Sequence, residues 1–353
     1  MKKICIIGNL GNAGNENNGQ TVKTKTMIRA LTEKYGDIVV VADTNRINNN
    51  GFTIIVNVIR AVFKGDLIVL AVCNFAVKLL ALPVYLLAKL QKKKIVYVLI
   101  GGWLGKYVST HKITKWALKK YDVIFAETKV TGKALLEQGF ANIQYLDNCK
   151  YLKKQKKVPD NNPKEVHFCT LSRVVPEKGI EDAIEAICEA DSRIKEVSYY
   201  LDIYGEIEEA YKDEIIKIIQ THSNNISYKG VVKPEQCPEI ISKYDALLFP
   251  TRVKTEGMPG TVIDAMFAGT PVIAVDWNAC REVISDGVNG LIYSWDNREL
   301  TELLCKPNLK QALRNMQENC FSVADRFTPE IAMKPLFDLY DEKAIKVIHI
   351  KDL

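Results

Sequence analysis

Short apolar runs alternate with longer stretches of helical periodicity, and this alternation occurs in two successive series. The first series of runs is KICIIG (3–8), DIVVVAD (37–43), LIVLAV (67–72), KIVYVLI (94–100), YDVIFAET (121–128) and IQYLDN (143–148). These runs are apolar throughout rather than at every second residue. That pattern marks strands buried on both faces, as in a parallel sheet covered by helices. TVKTKTMIRALTEKYG (21–36) reads as a helix with Val22, Met27, Ile28 and Leu31 on its apolar side and Gly36 at its end.

The stretch KKQKKVPDNNPK (153–164) is basic and rich in Pro and Asn, and it reads as an interdomain linker. The second series follows. Its strands are EVHFCTLSRV (165–174), VSYYLDIYGE (197–206), ISYKGVV (226–232), YDALLFPT (244–251), TPVIAV (270–275) and NGLIY (289–293). KGIEDAIEAICEA (178–190), EEAYKDEIIKIIQTH (208–222), DNRELTELL (296–304) and the region after Pro329 read as helices. At 353 residues the chain is long enough for about two domains. The expected architecture is α/β: two doubly wound domains with a cleft between them, spanning 1–155 and 165–335. The segment 336–353 is expected to pack back toward the first domain. In such sheets ligands bind outside the carboxyl ends of the strands.

One segment, residues 67–90, is apolar over nearly the length of a membrane span, but Asn74, Lys78 and Pro83 interrupt it. It reads as a buried strand, a turn and an apolar helix. The other reading is a helix lying in a membrane interface, with the lysines at 89–94 on lipid headgroups. No secretory signal is legible at the start, so a cytoplasmic chain is expected, extending to peripheral association with an inner membrane face. A net charge of +6 suits a nucleotide ligand or an anionic membrane surface and is too small to argue for nucleic acid. The nine cysteines show no CxxC spacing and read as buried free thiols in a reducing compartment. The four histidines form no metal-ligand cluster. Trp103 and Trp116 read as packing residues or as membrane or acceptor anchors, and the basic run 115–120 as a solvated helix face.

The chemistry concentrates in TEGMPGTVIDAMFAG, residues 255–269. The loop after YDALLFPT carries Glu256, then a turn at Gly257, Pro259 and Gly260 whose backbone can approach a ligand closely. A helix starts near Thr261 and ends at Gly269. Its free N–H groups and positive dipole end suit a diphosphate. Glu256 is expected just before that anion and Asp264 two turns in. Carboxylates flanking a phosphate are better placed to accept hydrogen bonds from hydroxyls, such as a ribose at one end and a sugar at the other. The alternatives are a dipole-complementing Glu256 and a merely solvated Asp264. In LSRVVPEKGI (171–180), Arg173 and Lys178 lie in one loop between a strand and a helix. Two cations there would hold the same diphosphate and stabilise its charge as it leaves.

SRVVPEKGI, EGMPGTVIDAM, GTPVIAVD and REVISDGVNGLI, in that order and spacing, resemble the retaining glycosyltransferases of family 4, with the GT-B fold. The resemblance is strong over about 165–335 and weaker over 1–150. It implies two Rossmann-like domains facing across a cleft, with an acid-x7-acid motif at Glu256 and Asp264. The first acid would contact the transferred sugar and the second the nucleotide ribose, here with an Asp where relatives usually have Glu. The resemblance makes Arg173 and Lys178 diphosphate ligands and the backbone of Gly260, Thr261 and Val262 the cradle of the distal phosphate, with Gly257 and Met258 in the same loop. It places the base against the loops near Gly205 and Val231. In the first domain it points to Gly19 and Gln20, in NNGQTVKT, as contacts to donor and acceptor. Many relatives carry a histidine after the fourth strand. Here GGWLGKYV stands there, and the nearest histidine, His111, reads as a solvated surface residue.

The implied reaction transfers a hexosyl group, with retention, from a nucleoside diphosphate sugar (UDP by default) to a hydroxyl of a lipid-linked or saccharide acceptor in bacterial surface polysaccharide synthesis. No nucleophilic side chain is evident, so attack on the face of the departing diphosphate is expected. The chain contains no Asp-x-Asp triplet, which fits a reaction with no metal and no further cofactor. Two alternatives stay open: a GT-B nucleotide-sugar epimerase, and a non-catalytic subunit that binds a nucleotide sugar beside an active sister.

Overall fold

A computed structural model describes residues 2–11, 19–45, 50–72, 75–156 and 162–342. Most of the polar loop 9–20, part of the linker at 153–164, Cys73, Asn74, His349 and most of the segment 336–353 lie outside the described residues. The chain forms two compact units. One comprises residues up to Tyr151 together with the chain from Phe327 onward, and the other is Leu152–Arg326.

The first unit is built on a parallel sheet of β1 (Ile4–Gly8), β2 (Val39–Asp43), β3 (Leu67–Ala71), β4 (Lys94–Val98), β5 (Val123–Ala126) and β6 (Ile143–Tyr145). Their order is β2-β1-β3-β4-β5-β6. β1, β3 and β5 are buried end to end, as their unbroken apolar sequence requires. β2 is an edge strand, so its valines at 39–41 are not buried despite the same composition.

Helices cover both faces. α1 (Gly19–Tyr35) packs on one, and α2 (Gly51–Lys64), α3 (Phe75–Leu90), α4 (Leu104–Thr110), α5 (Lys112–Leu118) and α6 (Lys129–Glu137) pack on the other. α1 begins two residues before the expected Thr21, and its inner side holds Thr21, Lys23 and Thr24 as well as Met27 and Leu31. Val22 is only half-buried. The apolar segment 67–90 divides into β3 and the 16-residue α3. Among the described residues no helix is long and apolar enough to cross a membrane.

The second unit has strands β7 (Glu165–Leu171), β8 (Ser198–Tyr204), β9 (Ile226–Gly230), β10 (Ala246–Phe249), β11 (Val272–Val275) and β12 (Gly290–Tyr293). They form a parallel sheet in the order β12-β11-β10-β7-β8-β9. Its helices are α7 (Ile180–Arg193), α8 (Lys212–Thr221), α9 (Cys237–Ile241), α10 (Gly260–Ala268), α11 (Asn297–Leu304), α12 (Leu309–Asn315) and α13 (Gln317–Ala324). The strand order reverses between β7 and β10. The chain winds outward from β7 through β8 to β9, then restarts beside β7 and winds the other way. That reversal parts the loops after β7 and β10 and leaves a crevice at their carboxyl ends.

The chain rejoins the first unit at Phe327, earlier than the expected 336. The reason is packing. The Lys150 amide donates to the Phe327 carbonyl at 3.1 Å. α14 (Pro329–Ala332) and α15 (Lys334–Tyr340) then bury Met333, Leu336 and Phe337 in the core beneath α1, where Phe337 meets Tyr35 edge-on at 5.9 Å.

Candidate functional site

The loop after β7 is shaped by two glycines. Gly179 has φ +65, and a Cβ there would lie 2.0 Å from the Pro250 carbonyl oxygen at the end of β10. Only a glycine lets the 172–179 loop lie against β10 in this way. Gly205 has φ +136, and a Cβ there would lie 1.6 Å from the Ser172 carbonyl oxygen, so the loop after β8 abuts the residue before Arg173. The two loops are knitted by the Val174 amide donating to the Glu206 carbonyl at 2.8 Å and the Glu208 amide donating to Val174 at 3.1 Å.

This placement brings Lys178 to Glu256. The Lys178 ammonium donates to the Glu256 carboxylate, and each side chain is 18% exposed. Thr251 donates to the same carboxylate oxygen at 3.3 Å. Lys178 Nζ also stands 5.9 Å from the Phe249 ring centroid. Arg173 is exposed, and no ion pair engages it among the described residues.

α10 starts with an open N-terminus. Pro259 occupies the cap position and offers no side-chain hydrogen bond. Its carbonyl accepts from the amides of Val262 at 3.1 Å and Ile263 at 3.3 Å. The amides of Gly260 and Thr261 donate to nothing among the described residues. These are the orphan donors that a helix end presents to an anion. The Thr261 hydroxyl donates to the Leu171 carbonyl at 2.7 Å, tying the start of α10 to the end of β7. Gly257 and Met258 are buried in the preceding turn.

The helix begins at Gly260, so Asp264 is one turn in, not two, and it is 2% exposed. Gly205 and Val231 meet at the carboxyl ends of β8 and β9. There the Gly205 amide donates to Gly230 at 2.9 Å and the Tyr228 hydroxyl donates to the Gly205 carbonyl at 2.8 Å. Val231 is exposed. Arg173, Lys178, Glu256, Gly260, Thr261, Val262, Asp264, Gly205 and Val231 therefore belong to one unit. Gly19 and Gln20 open α1 in the other.

His111 is a partly exposed surface residue, held by its neighbours rather than fully solvated. It closes α4, stacks on Tyr107 with ring centroids 3.8 Å apart, and its Nδ1 lies 2.9 Å from the Tyr107 carbonyl oxygen. Trp103 precedes α4 and donates its indole N–H to the Ile100 carbonyl at 2.9 Å.

The geometry can hold an anion between a cation-bearing loop and a helix N-terminus, with a carboxylate beside it for hydroxyls. Residues 153–317 match the model of the family described as glycosyl transferases group 1. That stretch, within the second unit and the segment leading into it, is what the chain shares with the family. An uncharacterised glycosyltransferase of Methanocaldococcus jannaschii is 26% identical over 59% of this chain and 57% of its own length. A 41.2 kDa protein of the cps region of Klebsiella pneumoniae is 25% identical over 59% of each. The chain thus spans less than two thirds of the length of these curated relatives. Among solved structures, Anabaena HepE in complex with UDP and glucose superposes with a TM-score of 0.73 at 15% identity, covering 97% of this chain and all of that one. The lipopolysaccharide outer core galactosyltransferase WaaB superposes at 0.67, with 15% identity and coverage of 96% and 99%. The fold is GT-B.

Sequence reading misses one residue that builds the site. Arg252 donates from Nε and Nη2 to the two oxygens of Asp182, at 3.0 and 2.7 Å, and from Nη1 to the Pro176 carbonyl at 3.2 Å. Its amide donates to the Glu177 carbonyl at 2.8 Å. Hydrogen bonding to the Asp182 carboxylate raises the Arg252 pKa further. Arg252 thus clamps the Lys178 loop to the end of β10. Arg252 and Asp182 are 70 positions apart in sequence, and no local motif signals the pair.

Proposed function

We propose that this chain is a retaining glycosyltransferase that moves a hexosyl group from a UDP-sugar to an acceptor hydroxyl. One observation carries the reading. Lys178 pairs with Glu256 on the loops after β7 and β10, where the strand order reverses and the Gly260 and Thr261 amides stand open, and Arg173 lies in the same loop as Lys178. The donor diphosphate would lie on those amides and between the two cations. Charge growing on the leaving phosphate is then met by donors already in place. Glu256 would accept from hydroxyls of the transferred sugar and Asp264 from the ribose, with the base beside Gly205 and Val231. The chain's share of catalysis is positioning and charge stabilisation, without a metal ion or further cofactor.

The UDP of several structural relatives supports the base, and the cps-region relative is in keeping with a role in bacterial polysaccharide synthesis, where a lipid-linked or saccharide acceptor would take the sugar. The test is incubation of the purified chain with UDP-sugars in EDTA, followed by release of UDP and the fate of the sugar. UDP released with retention at the anomeric carbon supports the proposal. Recovery of an epimerised UDP-sugar, or no donor turnover with any UDP-, GDP- or ADP-sugar and any acceptor extract, contradicts it.

A further inference from the structure

From Gly51 to Lys120 the sequence carries one acid, Asp66, against Arg60 and eleven lysines. That stretch is net +11 in a chain whose total is +6, so the rest of the chain is net acidic. The same stretch holds the largest exposed apolar side chains of the first unit. On α2, Phe52, Ile55, Ile59 and Phe63 recur at steps of three and four and so share one stripe, with Phe52 77% exposed. Val58, Ala61 and Val62 on the opposite side enter the core. α2 is therefore apolar on both sides, which is not the pattern of a helix facing water.

α3 repeats the feature. Leu79, Leu86 and Leu90 are exposed, Leu90 at 80%, while Val77, Ala81, Val84 and Ala88 are buried. On α5, Ile113 is 70% exposed and Trp116 lies beside it. The three helices are neighbours on one face of the sheet. Trp116 meets Tyr85 of α3 edge-on at 5.9 Å. Lys93, just past α3, donates to the carbonyls of Val62 and Phe63 at the end of α2, at 2.7 and 2.6 Å. The exposed charged side chains on these helices are all cationic, among them Arg60, Lys64, Lys78, Lys89 and Lys112.

We propose that the joined outer faces of α2, α3 and α5 dock on an anionic lipid bilayer. The apolar stripes enter the boundary between headgroups and acyl chains, and the surrounding cations meet lipid phosphates. Helices of this kind lie in the interface rather than spanning it. At about 1.5 Å per residue, the 16 residues of α3 reach about 24 Å, short of the ~30 Å hydrocarbon core. Charge selects this occupant over a second copy of the chain, because self-association would press two strongly cationic surfaces together. An apolar surface this extended is rarely left to water.

The proposal is argued from the helices of one unit and stands apart from the donor chemistry. The test is co-sedimentation of the full chain with vesicles of phosphatidylcholine alone and of phosphatidylcholine mixed with phosphatidylglycerol. No sugar donor is present, so its failure leaves the donor chemistry untouched. The wild type should pellet with the anionic vesicles, stay in solution with the neutral ones, and be released by salt. Two variants with all changes at exposed positions, F52S/F63S and K112E/K119E/K120E, should keep the wild-type unfolding midpoint. Each should bind at least about tenfold less tightly. A wild type that remains in solution with anionic vesicles overturns the proposal, as does equal binding by well-folded variants. A dimer that F52S/F63S dissolves, with no vesicle binding, overturns it in favour of a second copy.

Discussion

Lys178 and Glu256, from loops after two adjacent strands, hold each other in a partly buried ion pair at the mouth of an uncapped helix. The cation expected on the donor diphosphate and the carboxylate expected on the donor sugar are thus pre-oriented by one another. Glu256→Gln keeps the size of the side chain and removes its charge. It should lower UDP-sugar turnover by about 10²–10³, the usual cost of losing a charge-stabilising group, and Lys178→Met should do the same. At this partial burial, removing one partner should cost between the roughly 1 kcal/mol of exposed pairs and the ~3–5 kcal/mol of buried ones. The unfolding midpoint should therefore fall, but both variants should remain folded at assay temperature. Turnover rates and melting curves of the two variants, compared side by side, check this, and wild-type turnover in either would contradict it.

Gly179 sets the approach of the Lys178 loop to β10. Gly179→Ala adds a Cβ 2.0 Å from the Pro250 carbonyl oxygen in a left-handed backbone position. The conformation alone costs about 1–2 kcal/mol, and the contact forces the loop away. Urea unfolding should show at least that loss. Gly287, also at positive φ but with nothing within 4 Å of a Cβ, provides the control. Gly287→Ala should show only the conformational cost.

In the first unit, Lys23 of α1 donates to Glu127 at the end of β5 at 2.6 Å, with the side chains 6% and 4% exposed. The Gly101 amide donates to the other Glu127 oxygen at 3.4 Å. Removing the cation leaves a charged carboxylate in a low-dielectric site. Lys23→Met should cost about 3–5 kcal/mol, and adding Glu127→Gln should recover part of it. Equilibrium unfolding of the two variants tests the coupling. Equal stability of Lys23→Met and wild type would contradict it.

Burial pushes the thiols of Cys5, Cys149 and Cys280 up to about 12 from an ordinary 9.0. These groups stay protonated in the folded chain where the unfolded chain would ionise. Their contribution to stability is therefore whole below about pH 9 and is lost as pH rises from there toward 12. Site-resolved alkylation at pH 8 should label the half-exposed Cys188 and Cys305 first and spare Cys5, Cys149 and Cys280 until unfolding. Rapid native labelling of the buried three would contradict their placement.

The central strands were legible because a parallel strand buried on both faces must be apolar at every position, as in LIVLA and VIAV. The site loops were legible because glycine and proline mark turns whatever surrounds them. α2 is not legible, since its run of Ile and Val favours a strand locally and Asn50, capping the Thr53 amide at 2.8 Å, is a weak signal of a helix start. The inner face of α1 departs from its apolar periodicity because Lys23 is buried by a partner more than a hundred residues away. Arg252 escaped for the same reason. Pairings between distant residues leave no trace in local periodicity.

The most direct test of the donor site is thermal unfolding of the wild type and Arg173→Ala with UDP in EDTA. A ligand at about 100 times its dissociation constant adds about 2.7 kcal/mol to folding. The account predicts that UDP raises the wild-type midpoint without metal and that Arg173→Ala loses most of the shift. An unchanged wild-type midpoint at saturating UDP, or a full shift in Arg173→Ala, would contradict it.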